Sequence, residues 1–194
     1  LTGTFYIDPR IPSLGGFDAK GHKGRKKNPP HASFRTRGGA ISLDLGTAGD
    51  VYDALKSSVL VSSRTGNIMI KLLPALPIQP RIGLEVFSRR GDIVLLIPKT
   101  YCGAIQLSTR QGSIQFLPAL AALMRIVRND DDEALVLVGD QTMSRTNREQ
   151  TQKLDFCQLN SRGGKLIVGI SGQDRYEPKV GFWKKLGSMF GDTH

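Results

Sequence analysis

A six-residue motif that recurs five times constrains the fold of this chain more than any other feature of its sequence. The motif is Ser or Thr, Arg, any residue, Gly, any residue, and then Ile or Leu. Its copies lie at residues 36–41, 63–68, 88–93, 109–114 and 161–166. The fixed glycines are 27, 25, 21 and 52 residues apart, which is a spacing typical of stacked supersecondary units. Because the last gap is about twice the others, we interpret 134–139, near its midpoint, as a degenerate sixth copy.

Apolar residues alternate with other residues on both sides of each motif. This period of two places them on one face of a strand before the motif and a strand after it. The Ser or Thr falls on the same face, where its hydroxyl is expected to bond turn backbone groups. The glycine is expected to supply a positive φ at the turn. Prolines that end strands follow several units, at Pro74, Pro98 and Pro118.

These units predict an all-β fold, for which two architectures are open. In a β-solenoid of about six strand–turn–strand repeats, each repeat forms one coil, and a short C-terminal helix caps the stack. In an antiparallel β-sandwich, each repeat forms a hairpin, and the hairpins pair in antiparallel order. Short strands joined by connections of ten or more residues favour the solenoid.

The sequence divides into three segments around the repeats. Residues 1–33 are expected to form an N-terminal strand and a flexible basic segment, and residues 34–172 the repeat domain. Residues 173–194 contain apolar residues three and four apart, which predicts a short amphipathic helix that caps the stack. Between the fourth and fifth motifs, 119–127 predicts a short helix or a strand, and 129–133 an acidic turn.

The positive charge of the chain is concentrated near its start. The net charge is +10, and residues 1–37, with eight Lys or Arg and two Asp, account for +6 of it. We interpret the basic run between Lys20 and Lys27 first as a solvated segment and second as a contact for an anionic surface. Nucleic-acid modules usually add aromatic stacking residues to such a run, and none is interleaved here. Nucleic acid is therefore an unlikely partner.

The residue types that carry catalysis are not grouped in this sequence. His22, His31 and His194 all lie in Gly-, Pro- and Lys-rich or terminal sequence, and there is no phosphate-binding loop, nucleophile elbow or paired-carboxylate motif. Cys102 and Cys157 are interpreted as two buried thiols, with a disulfide left open, and not as metal ligands. We expect no enzymatic activity, no metal site and no cofactor.

The repeated arginine is the most informative polar feature of the motif. It follows the inward Ser or Thr, so in each copy it should point outward. If the copies stack in register, the arginines form one column of like charges, which favours a bound anion between them. The predicted anion-binding column consists of Arg37, Arg64, Arg89, Arg110 and Arg162.

A second candidate surface is an apolar face on the outward side of the strands. Met69, Val94, Leu96 and Ile167 occupy outward positions, where a solvated strand would carry polar residues. Such a face, together with an open end of the stack, fits a second copy of the chain. A homo-oligomer is therefore expected, with a filament as its open-ended form.

The motif copies and the tail also carry a resemblance to known families. The Ser-Arg-x-Gly turns and the sequence Phe182-Trp183-Lys184-Lys185 resemble an uncharacterised repeat domain family of mushroom-forming fungi. More remotely, the glycine-marked alternating strands are similar to putative adhesin β-helix domains of bacteria. The resemblance implies a β-helix-like fold and brings no catalytic residue or activity with it.

Taken together, these features predict a non-catalytic structural or self-assembling β-repeat protein. The alternative is a binding module that holds an anionic glycan, phosphate or lipid head group through the repeated arginines. The sequence starts without a signal-peptide pattern and has no apolar run of membrane-spanning length, which favours an intracellular location.

Overall fold

The computed structural model describes residues 1–11, 29–49, 56–139 and 154–176 and is all-β, as predicted. Its described residues form thirteen strands and one short helix. In chain order they are β1 (Thr2–Ile7), β2 (Ala32–Thr36), β3 (Ile41–Thr47), β4 (Ser57–Ser63), β5 (Ile68–Leu72), β6 (Ile82–Ser88), β7 (Ile93–Ile97), β8 (Gly103–Thr109), β9 (Ile114–Phe116), α1 (Pro118–Ala121), β10 (Met124–Asn129), β11 (Glu133–Val138), β12 (Asp155–Ser161) and β13 (Leu166–Ile170).

The strands form two sheets, and each motif connects one sheet to the other. The first sheet has the order β1-β3-β5-β7-β13-β9, and the second has the order β10-β11-β8-β12-β6-β4-β2. Among the described residues, nine of the eleven strand pairings are parallel, and the two antiparallel ones are β10 with β11 and β11 with β8. The two-sheet arrangement agrees with the sandwich alternative, but the predicted antiparallel hairpins are wrong because the two strands of each repeat lie in different sheets.

The repeats do not stack in the order of the sequence. We number the units first (β2–β3), second (β4–β5), third (β6–β7), fourth (β8–β9) and fifth (β12–β13). The fifth unit lies between the third and the fourth in both sheets. The expected sixth copy at 134–139 is wrong, because that segment belongs to β11, which forms an antiparallel hairpin with β10 and pairs with β8.

The alternating apolar residues fill the space between the sheets, as the period of two predicts. Parallel pairing in register places equivalent residues beside one another and so builds columns of aliphatic side chains through the core. One such column runs Ile41, Ile68, Ile93, Leu166 and Ile114. The first four residues are at most 1% exposed, whereas Ile114 is half-buried at the end of the column.

The two ends of the stack are covered by different elements. At one end β1 pairs with β3, so the N-terminal strand is part of the same domain as the repeats. At the other end the β10–β11 hairpin extends the second sheet, and α1 buries Leu120 completely. Asp174 accepts the backbone N–H of Ala119 at 3.0 Å, which ties the N-terminus of α1 to the chain after β13. Of the cap segment predicted at 173–194, the residues after 176 lie outside the described residues, as does the basic run at 20–27.

Candidate functional site

The motif forms a turn in which the Ser or Thr hydroxyl, buried in every copy except that of the half-buried Thr36, accepts a hydrogen bond from the glycine three residues later. The donor is the glycine N–H, and the distances are 3.2 Å at Thr36, 2.9 Å at Ser63, 3.0 Å at Thr109 and 2.8 Å at Ser161. This confirms the role predicted for the Ser or Thr in four copies. In the third copy the hydroxyl of Ser88 is buried without a hydrogen-bond partner in the described part of the chain.

Four of the five motif glycines, all except Gly39, are required by close contact between neighbouring units, and the expected positive φ is wrong. The described glycines with positive φ are Gly49, Gly139 and Gly172, none of which is in a motif. A Cβ placed on Gly66 would instead lie 2.1 Å from the carbonyl oxygen of Gly39, and one on Gly91 would lie 2.1 Å from that of Gly66. The glycines therefore form their own column, which aligns the turns from unit to unit.

The alignment of the turns brings the five predicted arginines together. The residues that precede them pair directly, Thr36 with Ser63, Ser63 with Ser88, Ser88 with Ser161, and Ser161 with Thr109. Parallel strands are about 4.8 Å apart, so the turns present one arginine at about that interval. All five are exposed, and their spatial order along the arginine column is Arg37, Arg64, Arg89, Arg162 and Arg110.

The centre of the arginine column contains a further arginine and two shallow grooves. Arg90 follows Arg89 in the third motif and is also exposed. One groove is lined by Arg64, Thr65, Arg89 and Arg90, and the other by Arg89, Arg90, Gln111, Arg162 and Gly163. Neither Arg90 nor Gln111 was predicted from the sequence as a site residue. The doubled arginine of the third copy was the available signal for Arg90, whereas Gln111 reaches the groove only because the fourth and fifth units are neighbours.

The positive charge of the arginine column is not balanced by nearby carboxylates in the described part of the chain. The ion pairs found there involve Arg10, Arg81 and Arg128, none of which is in the column. Asp92 lies within the third motif, three residues after Arg89. Its Oδ1 instead accepts the backbone N–H of Lys165 at 2.8 Å, so this carboxylate joins the third unit to the fifth.

The apolar face predicted for self-association is largely covered by the chain itself. Val94 and Ile167 are 4% and 1% exposed, and they pack with Leu117 and Tyr176. Met69 and Leu96 are half-buried against the same cluster. All four residues point outward from the first sheet as expected. The expectation that they form an open surface is wrong, because Leu117 after β9 and Tyr176 after β13 lie over them.

A buried polar cluster at the opposite end of the strands was not predicted. Asp155 is 6% exposed, and its carboxylate Oδ1 accepts the backbone N–H of Ile82 at 2.9 Å. Burial raises the pKa of Asp155, although the Ile82 N–H and Arg81, 3.7 Å away, oppose that shift. Burial likewise lowers the pKa of Lys56. These contacts join β12 to the chain before β6, so the cluster has a structural role.

The two cysteines are not disulfide-bonded and differ in their surroundings. Cys102 is half-buried, whereas Cys157 is completely buried and accepts a hydrogen bond from the Tyr101 hydroxyl at 3.5 Å. Burial raises the pKa of the Cys157 thiol to about 12. A thiol with such a pKa is almost fully protonated at neutral pH and is a poor nucleophile.

We therefore expect iodoacetamide at pH 8 to modify Cys102 in the folded protein and to leave Cys157 unmodified until the protein is unfolded. Peptide mapping by mass spectrometry, with and without denaturant, measures both rates in one sample. Equal modification of the two cysteines in the folded protein would contradict the placement of Cys157 in the core.

His31 is the one histidine that the structure describes, and it has a structural partner. Its Nδ1 accepts the backbone N–H of Ser58 at 2.9 Å. His22 and His194 lie outside the described residues. In the described ranges no group of three His, Cys, Asp or Glu side chains is arranged to hold a metal ion, and no helix found there has the length and apolar character to cross a membrane.

Comparison with known proteins places the chain in a family. The model of a domain of unknown function (DUF7330) matches residues 1–173. The chain belongs to this family. The DUF7330 match includes all the strands described above and the whole arginine column. No curated protein and no solved structure matches the chain. The resemblance to fungal repeat domains and adhesin-like β-helices stays a prediction.

Proposed function

We propose that this DUF7330 domain is a non-catalytic binding module whose arginine column holds anionic groups. The single observation that supports this most strongly is the in-register series of exposed arginines with no carboxylate partner in the described ranges. Guanidinium groups bind sulfate, phosphate and carboxylate oxygens in a two-pronged geometry. A series of them along one line fits a ligand with several anionic groups.

The electrostatics of the arginine column favour a bound anion. Two unit charges about 4.8 Å apart repel by about 0.9 kcal/mol in water, and each inner arginine has two such neighbours. Side chains relieve part of this repulsion by splaying into solvent. An anion that lies between two guanidinium groups adds two attractions that outweigh their mutual repulsion, so ligand binding should also raise the thermal stability of the domain.

The architecture that we infer is a β-solenoid with one unit out of sequence order. Parallel pairing in both sheets, motif turns that join one sheet to the other, and columns of equivalent residues all support this interpretation. The rigid stack fixes the interval between the arginines, so the domain is suited to a linear or planar array of charges. Five units, rather than the expected six, carry the motif.

The self-assembling alternative has less support than the binding module. The apolar face is covered by Leu117 and Tyr176. The edge strand β10 carries Arg125 and Arg128 and an irregular register between Ile126 and Arg128, features that discourage pairing of sheet edges. A filament built through that end is therefore disfavoured.

Charge reversal within the arginine column tests the proposed function. We expect Arg64→Glu, Arg89→Glu and Arg162→Glu together to weaken binding at least tenfold, because three attractive contacts become repulsive. The matched control, Lys99→Glu, Arg125→Glu and Arg175→Glu, makes the same change in net charge at exposed positions outside the column.

Both triple variants are titrated with three probes: heparin, inorganic polyphosphate, and vesicles with and without an anionic phospholipid. The three probes separate a glycan, a soluble phosphate and a membrane surface as the source of the anion. Melting curves confirm that each variant is folded. Loss of binding in the column variant alone supports the proposal. Equal affinities of the two variants for every probe, or no binding of the wild-type protein to any of them, would overturn it.

A further inference from the structure

The position of the fifth unit separates two parts of the chain that would otherwise be neighbours. In the described structure β6 pairs with β4 and β12, and β8 pairs with β11 and β12, so the third and fourth units have no direct strand pairing in the second sheet. The same holds in the first sheet, where β13 lies between β7 and β9. The fifth unit therefore occupies a gap one strand wide, with strands on both sides.

The contacts in this gap select the fifth unit by its chemistry. Asp155 Oδ1 accepts the Ile82 N–H at 2.9 Å, and Asp92 Oδ1 accepts the Lys165 N–H at 2.8 Å. Gly164 lies against the carbonyl group of Gly91, which a Cβ would approach to 2.1 Å. The inward residues Cys157, Leu159, Leu166 and Val168 are completely buried. A strand of unrelated sequence does not supply these two hydrogen bonds, the glycine and the buried apolar residues together.

None of these contacts depends on the covalent connection that leads into the fifth unit. The bonds of Asp155 to Ile82 and of Lys165 to Asp92 each span 73 residues, and every strand pairing of β12 and β13 is with a strand that precedes residue 117. The unit is joined to β11 only through residues 139–154. The same segment of another molecule can make the same contacts, so exchange between molecules costs no strand pairing.

We propose that the gap between the third and fourth units is a strand-binding site, and that its partner is residues 154–176 of a second copy of this chain. In one molecule the site is filled by the chain's own fifth unit. Two molecules that exchange fifth units form a dimer with the same two sheets. Such a dimer differs from contact through the covered apolar face or the sheet edges, because it uses the interior of the stack.

The test begins with the full chain carrying a specific protease site within residues 141–152, folded and then cut. A fluorescent peptide of residues 154–176 is added in excess in mild denaturant, which is then removed. We expect the labelled peptide to co-elute with the cut protein at up to one per molecule. The matched peptide with Gly164→Ala should be retained at least tenfold less, because its Cβ meets the Gly91 carbonyl. Equal retention of both peptides, or retention of neither, would overturn the proposal.

A second arm keeps the chain uncut and remains decisive if cleavage unfolds the protein. The full-length Gly164→Ala variant is refolded with the wild-type peptide. Recovery of the wild-type melting transition supports a site that accepts the segment from outside, and no recovery counts against it. Wild-type protein refolded over a concentration series should show a growing species at twice 21.2 kDa. A constant monomer mass at every concentration would exclude the second copy as the partner.

Discussion

Replacing Gly91 with Ala is expected to destabilise the domain by about 3 kcal/mol or more, although only one methyl group is added. The new Cβ would lie 2.1 Å from the carbonyl oxygen and 2.5 Å from the carbonyl carbon of Gly66, whereas ordinary contact begins near 3.4 Å. The obstructing atoms are backbone, so no side chain can rotate away. Two hydrogen-bonded units must separate locally to make room.

Gly39→Ala is the matched control for Gly91→Ala, because it makes the same change at the same motif position. Gly39 is the first glycine of the column, and the nearest atom to its added Cβ is the Thr36 hydroxyl oxygen at 3.4 Å. Neither residue has a positive φ, so backbone strain does not distinguish them. We expect Gly39→Ala to change stability by less than about 0.5 kcal/mol. Urea denaturation of both variants measures the difference, and equal midpoints would refute the close-contact explanation.

Ile93→Ala is expected to cost about 2–5 kcal/mol by lost burial and a residual cavity. Ile93 is completely buried in the middle of an aliphatic column, between Ile68 and Leu166. The two neighbours are fixed by parallel strand pairing, so they cannot close the space left by the missing carbons. For a chain of this size, 1 kcal/mol corresponds to about 2–4 °C in Tm.

Ile114→Ala makes a change in the same column and serves as the comparison for Ile93→Ala. Ile114 is half-buried, and within the described ranges its one strand partner is Leu166. We expect a cost of about 1–2 kcal/mol, because solvent and nearby side chains can fill the site. Thermal denaturation of the two variants tests this order. A larger loss of stability in Ile114→Ala than in Ile93→Ala would show that the column does not have the order described.

The sequence alone identified the elements that repeat and the faces they present. The period of two around each motif predicted the core strands, because side chains alternate between the two faces of a strand. The same argument placed the Ser or Thr inward and the five arginines outward, and the structure has them so. These conclusions depend only on positions within one strand, which is why a single sequence contains them.

The long-range arrangement was decided by tertiary structure. Nothing within the sequence of residues 154–176 indicates that they lie between the third and fourth units. All five units carry the same motif, so any one of them could pair with any other, and only the folded structure shows which units are neighbours. The cover provided by α1, the hairpin and Tyr176 was missed for the same reason. This cover consists of contacts between segments far apart in the chain. Contacts of the same kind bury Val94 and Ile167.

The motif glycine illustrates what the sequence can show and what requires the structure. Its recurrence at a fixed position was evident from the sequence, but its cause was assigned wrongly to positive φ. The cause is the carbonyl group of the neighbouring unit, 2.1 Å from where a Cβ would be at Gly91. A sequence records that a side chain is absent at a position. Only the structure shows which atoms occupy the space, because those atoms belong to residues that stacking, and not chain connectivity, brings into contact.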